Sequence, residues 1–208
     1  MPLASPAAPM KAPARPRGEV RIIGGSLRRR RLQVAPVEGV RPSPDRVRET
    51  LFNWLGQDLE GWTVLDLFAG SGALGFEAAS RGAARVIMVE RHPLVLKTLR
   101  DNRDTLGAAA VEIVNADART WSRHTVERFD LILADPPFAE ARPLELLAGL
   151  STCLKPSGMV YLETPAAVVP DHAWQVLRAA RAGQVHYQLL VPRQPAATEP
   201  PGGAGPGS

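Results

Sequence analysis

From residue 62 to residue 164 the chain alternates short apolar runs with segments whose apolar positions recur every three or four residues. The apolar runs are typical of buried strands, and the segments between them have the period of a helix. We therefore predict strands at TVLDLF, ARVIMVE, VEIVN, FDLILA and GMVYLET, and helices at ALGFEAASR, at PLVLKTLRDNRDTL and near residues 118–124 and 141–154. Strands that are joined by helical crossovers form a parallel sheet covered on both faces.

Two further segments extend this pattern. The stretch WQVLRAARAGQVHYQLLVP has two β-prone runs about Gly183, which predicts an antiparallel hairpin added to the sheet. Near the N-terminus, EVRIIGGSLRRRRLQV has β-prone pieces on both sides of Gly24 and Gly25, a pair that favours a tight hairpin turn. The predicted fold class is α/β, with a mostly parallel seven-stranded sheet, a C-terminal antiparallel hairpin and a small N-terminal β-hairpin.

A helix is predicted to begin around Ser43, Pro44 and Asp45. The serine hydroxyl would cap the helix, the proline would take the first helical position, and the acid would face the positive end of the helix dipole. The apolar residues that follow at helical spacing, Val47, Leu51, Trp54 and Leu55, would form the buried face. This pattern places Arg46, Arg48 and Asn53 nearer the opposite face.

The two ends of the chain differ in composition from its body. Residues 1–18 are rich in Pro and Ala, and residues 194–208 are rich in Pro and Gly, so neither buries enough apolar surface to offset its ordering entropy. We expect both to be disordered, with a basic β-hairpin at residues 19–40 and one catalytic domain at residues 41–193. The sequence has neither a bilayer-spanning apolar run nor the apolar core of a secretory signal, so we expect a cytoplasmic protein with no membrane partner.

Basic charge is concentrated at the front of the chain. Residues 1–31 contain eight basic residues and one acidic residue, a net charge of +7, which leaves −3 for the rest of a chain whose total is +4. A cationic segment on a slightly acidic body favours a polyanionic partner, because Arg and Lys contacts to phosphate supply most non-specific affinity for nucleic acid. The alternative is a solvated basic arm that only keeps the chain soluble.

The cysteine and histidine content limits the kinds of metal site that the chain could form. The chain has one cysteine, Cys153, and four histidines that do not form a His-x-x-x-His pattern. A single cysteine cannot form an internal disulfide or a multi-cysteine metal site, so we predict no structural zinc and no metal ligands. Cys153 falls in an apolar helical stretch and is interpreted as a packing residue.

A glycine-rich turn, VLDLFAGSGALG, follows the first predicted strand of the body, and its Gly70, Gly72 and Gly75 match the pattern G-x-G-x-x-G. Taken alone, this turn suits either a dinucleotide or S-adenosyl-L-methionine, because glycines let the backbone approach a ligand closely. Asp66 inside the strand favours S-adenosyl-L-methionine, since its carboxylate suits an ammonium and would repel a pyrophosphate. The alternative is that Asp66 only caps local backbone amides.

Two more acids follow predicted strands. Glu90 ends the next strand, where a carboxylate can accept hydrogen bonds from both ribose hydroxyls, or can simply be solvated. Asp117 follows the third strand, at the edge where ligands of open α/β sheets gather, and could accept a hydrogen bond from an adenine amino group. By position alone, Asp117 fits an ordinary helix N-cap equally well.

The most specific segment is FDLILADPPF, in which Asp135, Pro136, Pro137 and Phe138 come directly after a predicted parallel strand. Two prolines stiffen the turn, so that the carboxylate, the Pro136 carbonyl and the aromatic ring can converge. An exocyclic amine of a nucleobase is a poor nucleophile, because its lone pair is delocalised into the ring. Two acceptors that hold its hydrogens would turn the lone pair toward a sulfonium methyl while the ring stacks on the base. The alternative is a rigid turn that only ends a strand.

The assembly RIIGGSLRRRRL, RPSPDRVRETLFNWL, LDLFAGSGALGFEAASRGA, ADPPF and GQVHYQLL, in this order, resembles the bacterial 16S ribosomal RNA guanine-N2 methyltransferase family that modifies guanine 966. The resemblance covers about residues 19–193. It implies a Rossmann-like class I methyltransferase that uses S-adenosyl-L-methionine and acts, as a monomer, on 16S RNA in the assembling 30S subunit. Ser43 stands where threonine is more usual, which keeps the hydroxyl, and the extension before residue 19 lies outside the family core.

The resemblance also implies roles for individual residues. Asp135, Pro136, Pro137 and Phe138 would hold the target base. The cofactor would be bound by Asp66, Phe68, Ala69, Gly70, Ser71, Gly72, Glu90, Arg91, Asp117 and Ala118. The RNA would be contacted by the basic segments, namely Arg28, Arg29, Arg30, Arg31, Arg41, Ser43, Arg46 and Arg48.

Three other functions were weighed against this one. An adenine-N6 methyltransferase on DNA or RNA would share the Asp-Pro-Pro-Phe turn, although the chain is too small to include a second domain that reads DNA bases. An RNA-binding protein with an inactive cleft would not need Asp66, Glu90 and Asp135. A nicotinamide dehydrogenase would explain the glycine pattern but not the Asp-Pro-Pro-Phe turn.

Overall fold

The computed structural model describes residues 18–137 and 142–193. Residues 1–17 of the predicted N-terminal segment, the predicted C-terminal segment 194–208 and the predicted base-stacking Phe138 lie outside this range. The strands are β1 Glu19–Arg21, β2 Arg31–Gln33, β3 Thr63–Asp66, β4 Arg85–Glu90, β5 Val111–Asn115, β6 Phe129–Ala134, β7 Leu154–Thr164, β8 Trp174–Ala182 and β9 Val185–Pro192. The helices are α1 Asp45–Trp54, α2 Ala73–Ser80, α3 Pro93–Leu106, α4 Ala118–His124 and α5 Pro143–Leu150, and the last is followed by a 3-10 turn at Ser151–Cys153.

The main sheet has seven strands in the order β5-β4-β3-β6-β7-β9-β8. The first five are parallel, and β9 is inserted antiparallel between β7 and β8. The predicted fold class is therefore confirmed, including the C-terminal hairpin. The strands that follow β3 in the chain, β4 and β5, are added on one side of it, and the strand that follows β6, β7, is added on the other side. The crevice between β3 and β6 is therefore the expected ligand position for an open α/β sheet.

Alternate residues of each buried strand pack into two cores. On one face, Val64, Met88 and Leu131 pack with α1, α2, α3 and the small N-terminal sheet. On the other face, Leu65 and Ile132 pack with α4 and α5. Burial on both faces explains why these strands are continuous apolar runs rather than alternating ones. Among the described residues, no helix is both long and apolar enough to cross a membrane.

The N-terminal hairpin differs from its prediction. Its strands β1 and β2 are three residues each, and the connection between them is wider than a two-residue turn at Gly24 and Gly25. These glycines instead let the loop lie against the end of α2. A Cβ atom on Gly25, which has φ +72°, would lie 1.8 Å from the carbonyl oxygen of Ser80. The backbone N–H of Ser26 donates to that same oxygen over 2.7 Å.

The start of α1 also differs. The helix begins at Asp45 with Pro44 in the N-cap position, and no side chain caps it. Ser43 is buried, and its hydroxyl points to acids of the main sheet instead of the helix amides. The predicted capping role of Ser43 is therefore wrong, because Pro44 takes the N-cap position and the Ser43 hydroxyl donates to the Glu163 carboxylate.

The position predicted for Arg48 is also wrong. Its side chain is fully buried, because the N-terminal sheet and α2 cover the face of α1 that the helical pattern left polar. The guanidinium donates to the carbonyl oxygens of Ser43 and Arg21 over 3.1 Å and 3.0 Å. It also forms ion pairs with Asp45 at 2.6 Å and with the buried Glu77 at 3.3 Å. Arg48 therefore connects α1 to the N-terminal sheet and to α2, and it does not face solvent.

Candidate active site

The carboxyl ends of four neighbouring parallel strands bring four acids to one edge of the sheet. Asp66 ends β3, Glu90 ends β4, Asp135 follows β6, and Glu163 is the penultimate residue of β7. Strand register sets their order, because Asp66 pairs with Leu133 of β6, and Ala134 pairs with Leu162 of β7. Asp135 therefore lies between Asp66 on one side and Glu163 on the other.

The glycine-rich turn connects β3 to α2 at this edge. Gly70 and Gly72 have φ +48° and +76°, left-handed values that a glycine adopts without strain. Gly75 lies inside α2, where a Cβ atom would be 2.9 Å from Oδ2 of Asp66 and 2.4 Å from the Met88 methyl. The third glycine of the pattern is thus required for helix-to-strand packing, and the first two for the shape of the turn.

Asp66 is buried beneath this turn, and its Oδ2 accepts a hydrogen bond from the Gly75 N–H over 3.0 Å. One carboxylate oxygen therefore caps a local amide, as the alternative interpretation held, while Oδ1 has no partner among the described residues. Burial raises the pKa of Asp66 to about 7, helped by the charges of Glu90 and Glu163 and opposed by the Gly75 hydrogen bond. A buried acid of this kind gains most from a cationic ligand.

Glu90 holds the glycine turn in place. Its Oε2 accepts from the Gly70 N–H over 3.1 Å, and its Oε1 accepts from the N–H groups of Arg91 and His92 over 2.7 Å and 2.8 Å. Each carboxylate oxygen has two lone pairs, so Oε1 is fully used and Oε2 keeps one acceptor site for a ribose hydroxyl. Glu90 is thus a fixed acceptor rather than a freely solvated acid.

Asp117 is the N-cap of α4, because one of its oxygens accepts from the Thr120 N–H over 3.0 Å. Its other oxygen lies 3.3 Å from the guanidinium of Arg91. These contacts, the Thr120 hydrogen bond first, hold the pKa of Asp117 below its ordinary value. The N-cap and ligand interpretations are compatible, since Asp117 and the adjoining Ala116 also line an open pocket of about 440 Å³.

The remaining predicted cofactor residues are part of the same loops. Phe68 is half-buried and Ala69 is buried, with the Ala69 N–H bonded to the Val89 carbonyl over 3.0 Å. Ser71 is buried, and its hydroxyl accepts from the Ala73 N–H over 3.3 Å. Ala118 is buried at the first position of α4. All of them lie at or next to the carboxyl ends of β3, β4 and β5.

Asp135 begins the proline turn after β6. Its Oδ2 lies 3.5 Å from the hydroxyl of Ser43, Pro136 is buried and Pro137 is exposed. Burial, and then the charges of Glu163 and Asp66, raise the pKa of Asp135 well above its ordinary value. Asp135 itself is half-buried, so its carboxylate borders the cleft beside the glycine turn.

Glu163 is a site residue that the sequence reasoning missed. It is 3% exposed, and its Oε1 accepts hydrogen bonds from the hydroxyls of Ser43 over 3.1 Å and Tyr161 over 2.9 Å. Burial raises its pKa, while these two hydrogen bonds act in the opposite direction. Its signal was available, because an acid near the end of an apolar parallel strand is the same feature that singled out Asp66.

The basic residues divide into two groups. Arg28, Arg29, Arg30 and Arg31, here called the arginine cluster, are all exposed. Arg30 bonds the Thr105 carbonyl near the end of α3 over 3.1 Å, at the opposite sheet edge from the acids. The 14 residues of α3 correspond to about 21 Å of helix, which separates the cluster from the acidic cleft. Arg41 and Arg46 are exposed and flank Ser43 in sequence, so they are the nearer candidates for contacts at the cleft.

Cys153 is a buried free thiol, and the described acids and histidines form no metal centre. The Cys153 thiol is buried and donates to the Ser122 carbonyl over 3.2 Å, as a packing residue would. Within residues 18–137 and 142–193, no group of three or more His, Cys, Asp and Glu side chains is arranged to hold a metal ion.

Known proteins share this fold and sequence over most of the chain. Ribosomal RNA small subunit methyltransferase D of Haemophilus influenzae is 38% identical over 183 residues, which is 83% of this chain and 94% of that protein. The protein of the same name from Escherichia coli is 39% identical over 178 residues, or 83% of this chain and 89% of that protein. A solved methyltransferase structure from Escherichia coli is 39% identical, with a TM-score of 0.74, and covers 83% of this chain and 97% of that one.

The sheet order and the acid-lined glycine turn define the class as a Rossmann-like class I methyltransferase. The chain belongs to the family of the ribosomal RNA small subunit methyltransferase D proteins, and the family model described as conserved hypothetical protein 95 matches residues 20–191. The resemblance found in the sequence is thereby confirmed at the level of the family.

Proposed function

We propose that this chain transfers a methyl group from S-adenosyl-L-methionine to the exocyclic N2 amine of a guanine in 16S ribosomal RNA, with guanine 966 as the expected position. The observation that carries the proposal is the placement of Asp135, on a Pro-Pro turn, directly beside the strand end that presents Asp66. The names of the related proteins support an RNA of the small ribosomal subunit as the substrate.

The acids and the glycine turn fit the proposed cofactor. Oδ1 of Asp66, which has no partner among the described residues, suits the ammonium of the methionine moiety, and Oε2 of Glu90 has a lone pair left for a ribose hydroxyl. Asp117 lines the pocket that would take the adenine ring, and the Arg91 guanidinium lies 3.3 Å from its carboxylate. When bound, S-adenosyl-L-methionine supplies an electrophilic methyl group on a sulfonium.

Asp135 would act on the target amine. Its carboxylate and the Pro136 carbonyl accept hydrogen bonds from the two amine hydrogens, which fixes the nitrogen lone pair in the direction of the methyl group. The nitrogen lone pair forms the new N–C bond, the C–S bond breaks with its electrons going to sulfur, and the amine then loses one proton. Asp135 is positioned to receive that proton, since the nitrogen becomes acidic only once it is alkylated. Phe138 is proposed to stack on the base.

The RNA would be bound by two exposed basic regions, which are the arginine cluster and the pair Arg41 and Arg46. The cluster contacts the far end of α3, a helix about 21 Å long, so phosphate contacts there can hold the RNA at a distance while the target base is taken out of its stack. We further propose that the substrate is the assembling 30S subunit and that the enzyme acts as a cytoplasmic monomer. Arg48 is proposed to position Ser43 rather than to contact RNA.

The test is methyl transfer from labelled S-adenosyl-L-methionine to small subunits from cells that lack the activity, followed by nucleoside analysis. We expect the label in N2-methylguanosine. Label in N6-methyladenosine would show that the enzyme is instead an adenine-N6 methyltransferase, and binding of NADH in place of S-adenosyl-L-methionine would overturn the cofactor assignment.

A further inference from the structure

Glu163 is a buried acid that neither cofactor binding nor the alignment of the amine requires. It lies on β7, one strand beyond Asp135 and two beyond Asp66, so it is on the far side of the target amine from the glycine turn. Its hydrogen-bond partners within the described residues are the hydroxyls of Ser43 and Tyr161, not cations. Keeping a carboxylate there is costly without a further partner.

Only one of its two oxygens is used. Both hydroxyls bond to Oε1, and Oε2 accepts no hydrogen bond from residues 18–137 or 142–193. Solvent can also reach Oε2. Among the described residues, the side-chain nitrogen or oxygen atom that is both fully buried and without a hydrogen-bond partner is Oε1 of Gln188, not Oε2 of Glu163. The 3% exposure of Glu163 is therefore small, but it leaves an acceptor open at the cleft.

The fixed geometry determines what this acceptor can bind. The two hydroxyl donors stabilise the ionised form of Glu163 and hold its side chain in one orientation. Asp135 shares the Ser43 hydroxyl with it, so the two carboxylates flank a single group. A base whose amine reaches Asp135 therefore presents the neighbouring atom of its ring to Glu163.

Guanine is the standard base whose exocyclic amine lies next to a ring N–H donor. In adenine and cytosine, the ring atom on the Watson–Crick side of the amine is an acceptor, which an ionised carboxylate repels. A site that pairs with a donor strongly rejects the analogue without it, because its own buried polar group is then left unpaired.

We infer that Glu163 is the residue that selects guanine, by accepting a hydrogen bond from the ring N1–H while Asp135 and the Pro136 carbonyl hold the N2 amine. This inference rests on the proposed function and deepens it, because it assigns the choice of base to one side chain. Ser43 and Tyr161 are then positioning residues that orient the carboxylate.

The test compares two RNA substrates and three proteins. One RNA is 16S RNA assembled by ligation with guanine at the methylated position and reconstituted with small-subunit proteins, and the other, prepared in the same way, has 2-aminopurine there, which keeps the N2 amine but has an acceptor at N1. The proteins are the wild type, Glu163→Gln, and Tyr161→Phe as a control that removes one hydrogen bond to Glu163 without changing its charge. The kcat/KM of methyl transfer is measured for each pair, together with the Kd for S-adenosyl-L-methionine.

For the wild type we expect kcat/KM to be about 100-fold lower on 2-aminopurine than on guanine. Glu163→Gln should lose activity on guanine but not on 2-aminopurine, because its amide can donate to the N1 acceptor. The ratio of kcat/KM on guanine to kcat/KM on 2-aminopurine should therefore fall below about tenfold. Tyr161→Phe should keep most of the discrimination. The Kd for the cofactor should stay within about threefold in both variants, which shows that they fold.

Two results would overturn the inference. Equal wild-type activity on the two RNAs would mean that N1–H is not read, and an equal fractional loss on both RNAs in Glu163→Gln would reduce Glu163 to a structural role. Loss of the O6 atom in 2-aminopurine affects every protein alike and cancels in the comparison. A wild-type enzyme that forms no N2-methylguanosine on the guanine RNA would instead overturn the proposed function itself.

Discussion

The hydroxyl of Ser43 lies 3.1 Å from Oε1 of Glu163, although the two residues are 120 positions apart in the chain. The same hydroxyl lies 3.5 Å from Asp135, so the segment before α1 forms a wall of the acidic cleft. Arg48 holds this wall in place through the Ser43 carbonyl and connects it to Glu77 of α2. The small N-terminal sheet, α1 and the catalytic edge of the main sheet thus form one unit.

Replacement of Asp66 or Glu90 by Ala should each weaken S-adenosyl-L-methionine binding by about 1 to 3 kcal/mol, because charge-assisted hydrogen bonds are lost. Calorimetry on the purified variants measures this. Glu112→Ala is a suitable control, since Glu112 forms an exposed ion pair with Arg85 away from the cleft. Wild-type affinity in both Asp66 and Glu90 variants would remove these acids from the cofactor site.

Cofactor affinity should depend on pH through Asp66. Its pKa is raised to about 7, so the side chain is mostly neutral below that pH and becomes charged above it. An ammonium binds the charged form better, and the affinity should therefore increase roughly five- to sixfold from about pH 6 to about pH 7.5, after allowing for about one third of the cofactor amine that loses its proton by then. Asp66→Asn should remove this dependence. A wild-type affinity that is flat over the same interval would contradict the assignment.

Arg48→Met should destabilise the protein by about 3 to 5 kcal/mol, because it leaves the buried Glu77 with one of its two arginine partners. The free energy of unfolding in urea measures this loss. Arg46→Met is the matched control on the same helix, where an exposed side chain should change stability by less than about 0.5 kcal/mol. Similar small losses in both variants would show that the buried ion pair is not important for stability.

Replacement of all four residues of the arginine cluster by Gln should weaken RNA binding for every sequence and flatten its salt dependence, because fewer counterions are released. Cofactor affinity should hardly change, since the cluster lies at the opposite edge of the sheet from the acids. Binding to small subunits at several salt concentrations distinguishes an RNA-binding cluster from a basic segment that only keeps the chain soluble. An unchanged slope and an unchanged affinity would reduce the cluster to a solvated surface and leave RNA contacts to Arg41 and Arg46.

The elements that sequence alone predicted well are those with local signals. The helix α3 begins at Pro93 and ends before Gly107, which has φ +64°, and both residues mark a helix boundary whatever surrounds them. Strands β5 and β6 are largely apolar runs, VEIVN and FDLILA, and their residues agree with the prediction. The predicted tight turn at Gly24 and Gly25 is wrong, because these glycines serve the close approach of Ser80. That approach is a tertiary contact, which the local sequence does not indicate.

The site was predicted where its residues belong to a short motif and missed where they do not. Asp66, Glu90 and Asp135 each follow a recognisable strand, and the structure brings them to one edge. The buried partner of Arg48 is Glu77 of α2, which lies 29 positions further along the chain. Nothing in the sequence around Arg48 indicates this contact. Glu163 has the same sequence signal as Asp66, an acid near the end of an apolar strand, but its place beside Asp135 follows only from the pairing of β7 with β6.

The most direct test of the central claim is the single-turnover rate of N2-methylguanosine formation by Asp135→Ala and Asp135→Asn at saturating cofactor. Ala removes the acceptor, so the rate should fall about 100-fold or more while the Kd for S-adenosyl-L-methionine stays near that of the wild type. Asn keeps an oxygen acceptor in the same place and should recover much of the rate. Wild-type rates in Asp135→Ala would contradict the account, because the target amine would then be aligned by another group.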